Sequence, residues 1–342
     1  MFGGLRRCLV CATWLFALGL YVSAHASETK ETKLTPKLFV AKELTVLSYN
    51  THLFDIGAAI TTVCPIKQLL SGITTVGCIA AGRAPIDYFD TTRAHLISDA
   101  ILRAMLKADI VALQEVWTED VQRIMAQSLA GTYPHQYVPR TELSFRKKKL
   151  LGSGLMLLSK YPIVPGSEYF VPFKELINAD AWAMKGVAGL EIELPDSTRV
   201  GIFTAHTGGL FENVCQIHEE VMRYTKAYPN NAVLMLGDLN ISESVMIEFD
   251  RCARKQGHRG HSLLLDSYRQ VSPDVLLQPG QTTGDSHAPR IDYILYRTGT
   301  SLASVSQTKI NDAGFYFKPP LDPRPVPLSD HYPIFATFHF IQ

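Results

Sequence analysis

A two-sheet α/β sandwich with helices on its outer faces is the fold class this sequence predicts, in one domain starting near residue 40. Three observations predict it. Short apolar strands outnumber the helical stretches. The helical stretches are amphipathic, with one face to bury. The strands close on polar residues rather than running into one another.

The elements follow in order. LTVLSYN (44–50) reads as a buried strand. Residues 51–90 are apolar, Gly-rich and without clean periodicity, and read as a long insertion stapled by a disulfide. Leu96, Ile97, Ala100, Ile101, Ala104 and Met105 then recur at helical spacing. ADIVALQEV (108–116) is a second buried strand. A helix follows, with Thr118 as N-cap, Glu119 and Asp120 in its first turn and Gly131 as its stop. Strands are expected at 154–160, 167–173, 186–194 and 199–206, the last two joined by the turn residues PDST. A helix begins near Glu212, a strand covers 231–240, and another helix spans 243–256. RIDYILYR (290–297) and the segment after Pro333, with Ile334, Ala336, Phe338 and Phe340 on one face, close the chain.

The chain has 342 residues, 46% of them hydrophobic, which is ample for a sizeable core. Its net charge of +1 gives no overall basic field, so nucleic acid is the less favoured partner. The beginning reads as a signal peptide over residues 1–26: Arg6 and Arg7, an apolar run from Cys8 to Leu20, and Ala24–Ala26 as a cleavage site. Residues 27–42 read as a flexible leader and 43–342 as the folded domain. Removing Arg6 and Arg7 from the 33 basic residues leaves 31 against 32 acidic ones, a net −1. An exported chain, secreted or periplasmic, changes the meaning of its cysteines. Cys64, Cys78, Cys215 and Cys252 allow three pairings, and short spacing favours Cys64 with Cys78, leaving Cys215 with Cys252. Buried free thiols are the alternative, and no spacing suits zinc.

The informative pattern is repetition at strand ends. Apolar strands finish on Asn50, on Glu115, on His206 and on Asp238 with Asn240, while Asp292 and the pair Asp330–His331 open two more. Any one of these is an ordinary turn residue. Together they form a set of carboxylates, amides and imidazoles. Hard oxygen ligands suit Mg²⁺ or Mn²⁺, and histidines supply acid and base near neutrality. No Ser or Cys sits in a nucleophile context, so metal-assisted attack by water is the matching chemistry.

The blocks SYN, LQE, TAH, GDLN, RIDYIL and SDHYPI, in this order, resemble the signatures of the endonuclease/exonuclease/phosphatase superfamily from about residue 44 to the end. The resemblance implies a four-layered α/β sandwich of the DNase-I-like type: two packed mixed β-sheets flanked by helices. It implies divalent-metal-dependent phosphoester hydrolysis. On that basis Glu115 is the main metal ligand with Asn50 close by, and Asp330 reaches a second metal. Asp238 and Asn240 position phosphate and water. His331 is the base oriented by Asp292, and His206 stabilises the transition state or protonates the leaving group.

Within the superfamily the chain looks most like the secreted bacterial neutral sphingomyelinases. DAWAMKG places Asp180 and Lys185 at the spacing of a pair that acts as a conformational switch in relatives, although Met184 stands where the family usually has Asn. The segment after Glu115 has that branch's short helix followed by YP. GFYFKPP puts Phe315, Tyr316 and Phe317 where secreted relatives carry a membrane-dipping hairpin; ordinary core aromatics are the alternative. RKKK (146–149) suits a lipid headgroup, or a solvated loop. The implied activity is hydrolysis of sphingomyelin at a phospholipid surface to ceramide and phosphocholine, with no obligate protein partner. A secreted DNase-like nuclease, or another phosphoesterase of the superfamily, is the first rival. A noncatalytic binding module on the same scaffold is the second.

Overall fold

The computed structural model describes residues 42–53, 90–143, 149–242, 245–257, 264–271, 282–283, 289–310, 313–317 and 326–341. Among them are β1 (Lys42–Leu53), α1 (Asp90–Arg103), β2 (Ile110–Val116), α2 (Glu119–Leu129), β3 (His135–Tyr137), β4 (Met156–Ser159), β5 (Tyr169–Pro172), β6 (Gly186–Glu193) and β7 (Arg199–His206). There follow α3 (Phe211–Ala227), β8 (Ala232–Asp238), α4 (Val245–Lys255), β9 (Leu265–Asp266), α5 (Ser267–Val271), β10 (Asp292–Arg297), β11 (Leu302–Ile310), β12 (Tyr316–Phe317), β13 (Val326–Pro327) and β14 (Ile334–Phe340). The signal-peptide and leader expectations, the disulfide-stapled insertion with Cys64 and Cys78, and most of the basic run before Lys149 lie outside the described residues.

Two six-stranded sheets carry the fold, in the orders β11-β14-β1-β2-β4-β3 and β5-β6-β7-β8-β10-β9. Period-2 alternation divides each strand between two layers. Leu44 and Val46 of β1, with Ile110 and Ala112 of β2, join the core that also holds Ile192, Ile202 and Leu234 of the second sheet. Leu47, Tyr49, Val111 and Leu113 face the other way, against Ile97, Ile101 and Met125 of α1 and α2. Phe203, Met235 and Leu295 pack on Val214, Ile217, Phe249 and Cys252 of α3 and α4. The result is the four-layered, DNase-I-like sandwich of two mixed sheets between helices. Thr118 caps α2 as expected, accepting a hydrogen bond from the Val121 amide.

Strand direction decides where the polar ends go. Each sheet has one parallel pair at its centre, β1 with β2 and β7 with β8. Their C-terminal ends share a rim. β10 runs antiparallel to β8 with Asp292 opposite Asp238, and β14 runs antiparallel to β1 with Ile334 opposite Ser48. The starts of β10 and β14 therefore return to that same rim.

Two expectations about side chains resolve here. Cys215 and Cys252 form a disulfide joining α3 to α4, which settles this half of the pairing. Phe315 is only 2% exposed, edge-on to Tyr49 at 5.0 Å and packed near Phe335, so it is a core residue and not a membrane contact. Tyr316 is half-buried and pairs with Pro327 across β12–β13. Phe317 pairs with Val326 in the same short ladder. Burial of a Phe side chain stabilises by about 1.5–3 kcal/mol, and that gain would be lost by turning Phe315 outward.

Candidate active site

Three non-glycine residues at the rim have left-handed backbones: His52 (φ 48°), Glu115 (φ 58°) and Asn240 (φ 49°). Such conformations cost energy and persist only where neighbours hold them. At His52 the holders are visible. Its N–H donates to Asn50 Oδ1 at 3.0 Å, and its carbonyl accepts from the buried Arg93 Nη1 at 2.9 Å. Arg93 also donates to the carbonyls of Thr51 and Leu328, fastening α1, the end of β1 and the approach to β14 together.

Asn50 joins the two sheets at the centre of the site. Its Nδ2 donates to Glu115 Oε1 at 2.9 Å and to Asp238 Oδ2 at 2.9 Å. Its Oδ1 accepts from the His52 amide, so in this arrangement Asn50 orders the two carboxylates with one lone pair of Oδ1 still free of a protein donor. Asp238 Oδ1 accepts the backbone N–H of Asn240 at 2.9 Å, which fixes the left-handed turn after β8. Asn240 Nδ2 in turn donates to the Thr207 carbonyl at 3.0 Å. A second polar link between sheets lies one step deeper, from Gln114 Nε2 to Thr204 Oγ1 at 3.1 Å.

His331 stands where the last strand enters. Its Nδ1 is 2.8 Å from Asp292 Oδ2, and its backbone N–H donates to Ser329 Oγ at 3.1 Å. With Nδ1 donating to Asp292, Nε2 faces the site, 3.5 Å from Asn50 Nδ2 and 3.8 Å from Asp238 Oδ2. Burial alone would lower the His331 pKa, but the charges of Asp292, Asp238 and Asp330 raise it to about 10. Asp238 moves up to about 7, because it is buried and lies beside Asp292.

His206 is the counterpart on the second sheet. Its Nε2 is 3.7 Å from Glu115 Oε1, 3.6 Å from Asp238 Oδ2 and 3.1 Å from Lys185 Nζ. Burial, then Lys185, His331 and His52, push its pKa well below the usual histidine value. A neutral His206 can accept from Lys185 through Nε2. Lys185 is itself buried and paired with Asp180 Oδ1 at 2.6 Å. Gly208 makes that approach possible: a Cβ there would stand 2.4 Å from Asp180 Oδ2.

Glu115, His206, Asp238, Asn50, Asn240, Asp292 and His331 are thus brought together, with the Asp180–Lys185 pair beside them. Asp330 is not inside. Its side chain is 51% exposed, and its carboxylate sits 3.5 Å from His52 Nδ1. Two residues escaped the sequence reading. His52 Nδ1 lies 3.6 Å from Glu115 Oε2, and Trp117 Nε1 donates to the same oxygen at 3.3 Å. His52 follows Asn50 by two at a strand end and Trp117 follows Glu115 by two, which was the only local signal. A cavity of about 380 Å³ opens over Glu115, His206, Lys185 and Asn240, with His52, Trp117 and Leu151 on its walls.

The residues fit a divalent cation. Glu115, His206 and Asp238 bring one donor atom each within 4.8 Å of one another, and Asp238, Asp292 and His331 form a second such group. Asp292 Oδ1 is buried without a hydrogen-bond partner. Two buried carboxylates in register, one raised in pKa, are a concentration of negative charge that a hard cation neutralises.

The profile of the Endonuclease/Exonuclease/phosphatase family matches residues 88–331, and the chain belongs to that family. Its members are hydrolases. Among curated proteins, Homo sapiens Sphingomyelin phosphodiesterase 2 is 25% identical over 264 residues, covering 67% of this chain and 56% of its own. Inositol phosphosphingolipids phospholipase C of Saccharomyces cerevisiae is 24% identical over 273 residues, covering 68% and 53%. A Drosophila melanogaster protein provisionally named as a neutral sphingomyelinase is 28% identical over 172 residues, covering 45% and 37%. The chain therefore spans between 37% and 56% of the lengths of these relatives. Sphingomyelinase C from Streptomyces griseocarneus superposes with a TM-score of 0.57 at 20% identity, over 86% of this chain and 99% of that one. Staphylococcus aureus beta toxin with bound magnesium ions gives 0.54 at 16%, over 86% and 99%. Truncated Caenorhabditis elegans TDP2 gives 0.55 at 16%, over 87% and 97%, so the shared fold alone does not select a substrate.

Proposed function

We propose that this chain is an exported, metal-dependent phosphodiesterase that hydrolyses sphingomyelin to ceramide and phosphocholine. The observation that carries the chemistry is the His331–Asp292 pair, aimed at the carboxylates that Asn50 holds together. The choice of a sphingolipid is supported by the names of the curated relatives and by the Asp180–Lys185 pair. Export is supported by the disulfide between Cys215 and Cys252, a bond at home in an oxidising compartment.

Glu115 and Asp238 would hold Mg²⁺ or Mn²⁺. When bound, the ion supplies a Lewis acid that offsets charge on the phosphate. The chain's own groups do the rest. With a bound cation offsetting the Asp238 and Asp292 charges that otherwise keep it protonated, His331 would accept a proton from water through Nε2, while Asp292 fixes its tautomer and stabilises the imidazolium that forms. Asn240 presents an amide beside Asp238 for phosphate contact. Lys185, held by Asp180, places a cation at the cavity wall where charge develops on the phosphate oxygens. The ceramide oxygen would leave with a proton from the Lys185–His206 pair, which places an N–H donor at the cavity wall.

The test incubates the mature protein with Mg²⁺ and, in parallel, sphingomyelin, phosphatidylcholine, an inositol phosphosphingolipid, plasmid DNA and an inositol polyphosphate. Phosphocholine release from sphingomyelin is expected. Nicked plasmid with intact sphingomyelin would favour the nuclease instead, and inertness toward all five would favour a binding module.

A further inference from the structure

The segment leading into Lys185 faces two ways. A single 3₁₀ turn, Asn178–Trp182, begins at a left-handed Asn178 (φ 54°). Asp180 and the following Ala183 look inward and line the active-site cavity. Ile177 and Trp182 look outward, 51% and 49% exposed. The turn is anchored from behind. The Trp182 carbonyl accepts from the amides of Leu150 and Leu151 at 2.7 and 3.1 Å. Lys149 Nζ donates to the carbonyls of Ala181 and Ala183, both at 2.8 Å. Two large apolar side chains are therefore presented to solvent from a backbone held in place, on the segment whose Asp180 and Ala183 line the cavity.

We propose that Ile177 and Trp182 are the surface by which this protein docks on a phospholipid bilayer. The inference rests on the sphingomyelin reading. A cavity of about 380 Å³ is at the small end of ligand pockets, so it admits a phosphorylated headgroup and leaves two acyl-type tails outside. Those tails stay in the bilayer. The mouth of the cavity must then lie against the bilayer's interfacial zone, and Ile177 and Trp182 are exposed apolar residues flanking Asp180, which lines that cavity. Tryptophan suits this zone, since its ring is apolar while its N–H keeps a polar partner. Of the aromatics that the sequence offered for the role, Phe315 is in the core.

The experiment compares wild type with the double variant Trp182→Ala/Ile177→Ala, and with Trp182→Phe. Vesicles of phosphatidylcholine and sphingomyelin are used in EDTA for binding. In Mg²⁺, turnover is measured on vesicles and on detergent-dispersed sphingomyelin. The wild-type tryptophan emission should shift to the blue on vesicles, and Trp182→Phe should lose that shift. The double variant should partition roughly tenfold more weakly, the scale expected for removing two partly buried apolar side chains. Its vesicle turnover should fall in proportion, with detergent-dispersed turnover and melting temperature unchanged. Equal partitioning of the two proteins would overturn the docking surface even if both hydrolyse dispersed sphingomyelin. A wild type that partitions through Trp182 yet leaves dispersed sphingomyelin intact would keep the surface and remove the substrate assignment. A concentration-dependent dimer in light scattering, lost in the double variant, would assign the patch to a second copy and overturn the lipid proposal.

Discussion

Replacing Asp292 by Asn removes a buried charge 2.8 Å from His331 Nδ1 and keeps an oxygen able to accept its hydrogen bond. In the metal-free protein His331 titrates near 10, against 6.5 for an unperturbed histidine. A separation of that size converts to about 5 kcal/mol at about 1.4 kcal/mol per pH unit. Asp238 and Asp330 share the effect, so the portion lost with Asp292 is about 3 kcal/mol, near the low end for removing one partner of a buried pair. The sign follows from the direction. A group whose folded pKa is raised contributes its full stability below the unfolded value and loses it as pH climbs through the folded one. Urea unfolding in EDTA should therefore separate wild type from Asp292→Asn by about 3 kcal/mol at pH 6. The gap should narrow steadily from about pH 6.5 to about pH 10. A gap of constant size from pH 6 to pH 10.5 would refute the ion pair as its source, leaving packing as the cause.

His331→Ala should lower kcat on sphingomyelin by about 10²–10⁴ with little change in melting temperature; wild-type turnover would exclude it as the base. Glu115→Gln should weaken Mg²⁺ binding in calorimetry at least roughly tenfold, because ligand charge sets affinity. Equal binding isotherms would take Glu115 out of the ion's site. Cys252→Ser should cost about 4 kcal/mol in the chain-entropy description of a loop with a sequence separation of 37. Unchanged urea midpoints would show that α3 and α4 hold together by packing alone.

Much of the site was legible because β-strands are local objects. An apolar run that ends on Glu115 or His206 announces both the strand and the side chain at its tip. What strands do next is not local. Nothing near Asn50 in the sequence says that its amide bonds to both Glu115 and Asp238, because that depends on how two sheets stack. His52 was missed for the same reason, its partner Glu115 lying on another strand, whereas Trp117 bonds Glu115 only two residues back, across a strand end whose turn the apolar pattern does not show. Asp330 came as a second-metal ligand from the family resemblance, and its carboxylate instead lies half exposed beside His52, because adjacent residues entering a strand point to opposite sides. Phe315 failed differently. Three aromatics in a row have the same composition in a core strand as in a membrane-seeking hairpin, and only the position of Tyr49 and Phe335 separates the two. The outward Trp182 gave no signal at all, since its exposure is set by Leu150, Leu151 and Lys149 behind it.

The pairing of β1 with β14 has a consequence for how the molecule comes to exist. Lys42 lies opposite Phe340, and Asn50 meets His331 across a separation of 281 residues. Contacts this distant in sequence require the largest chain closures and form late. A folding chain can complete β5 to β10 and the helices on them while the catalytic rim is still missing one wall. Such an intermediate would hold His206, Asp238 and Asp292 in position and still be inert. Activity in this architecture should therefore appear in one step, with the arrival of the final strand.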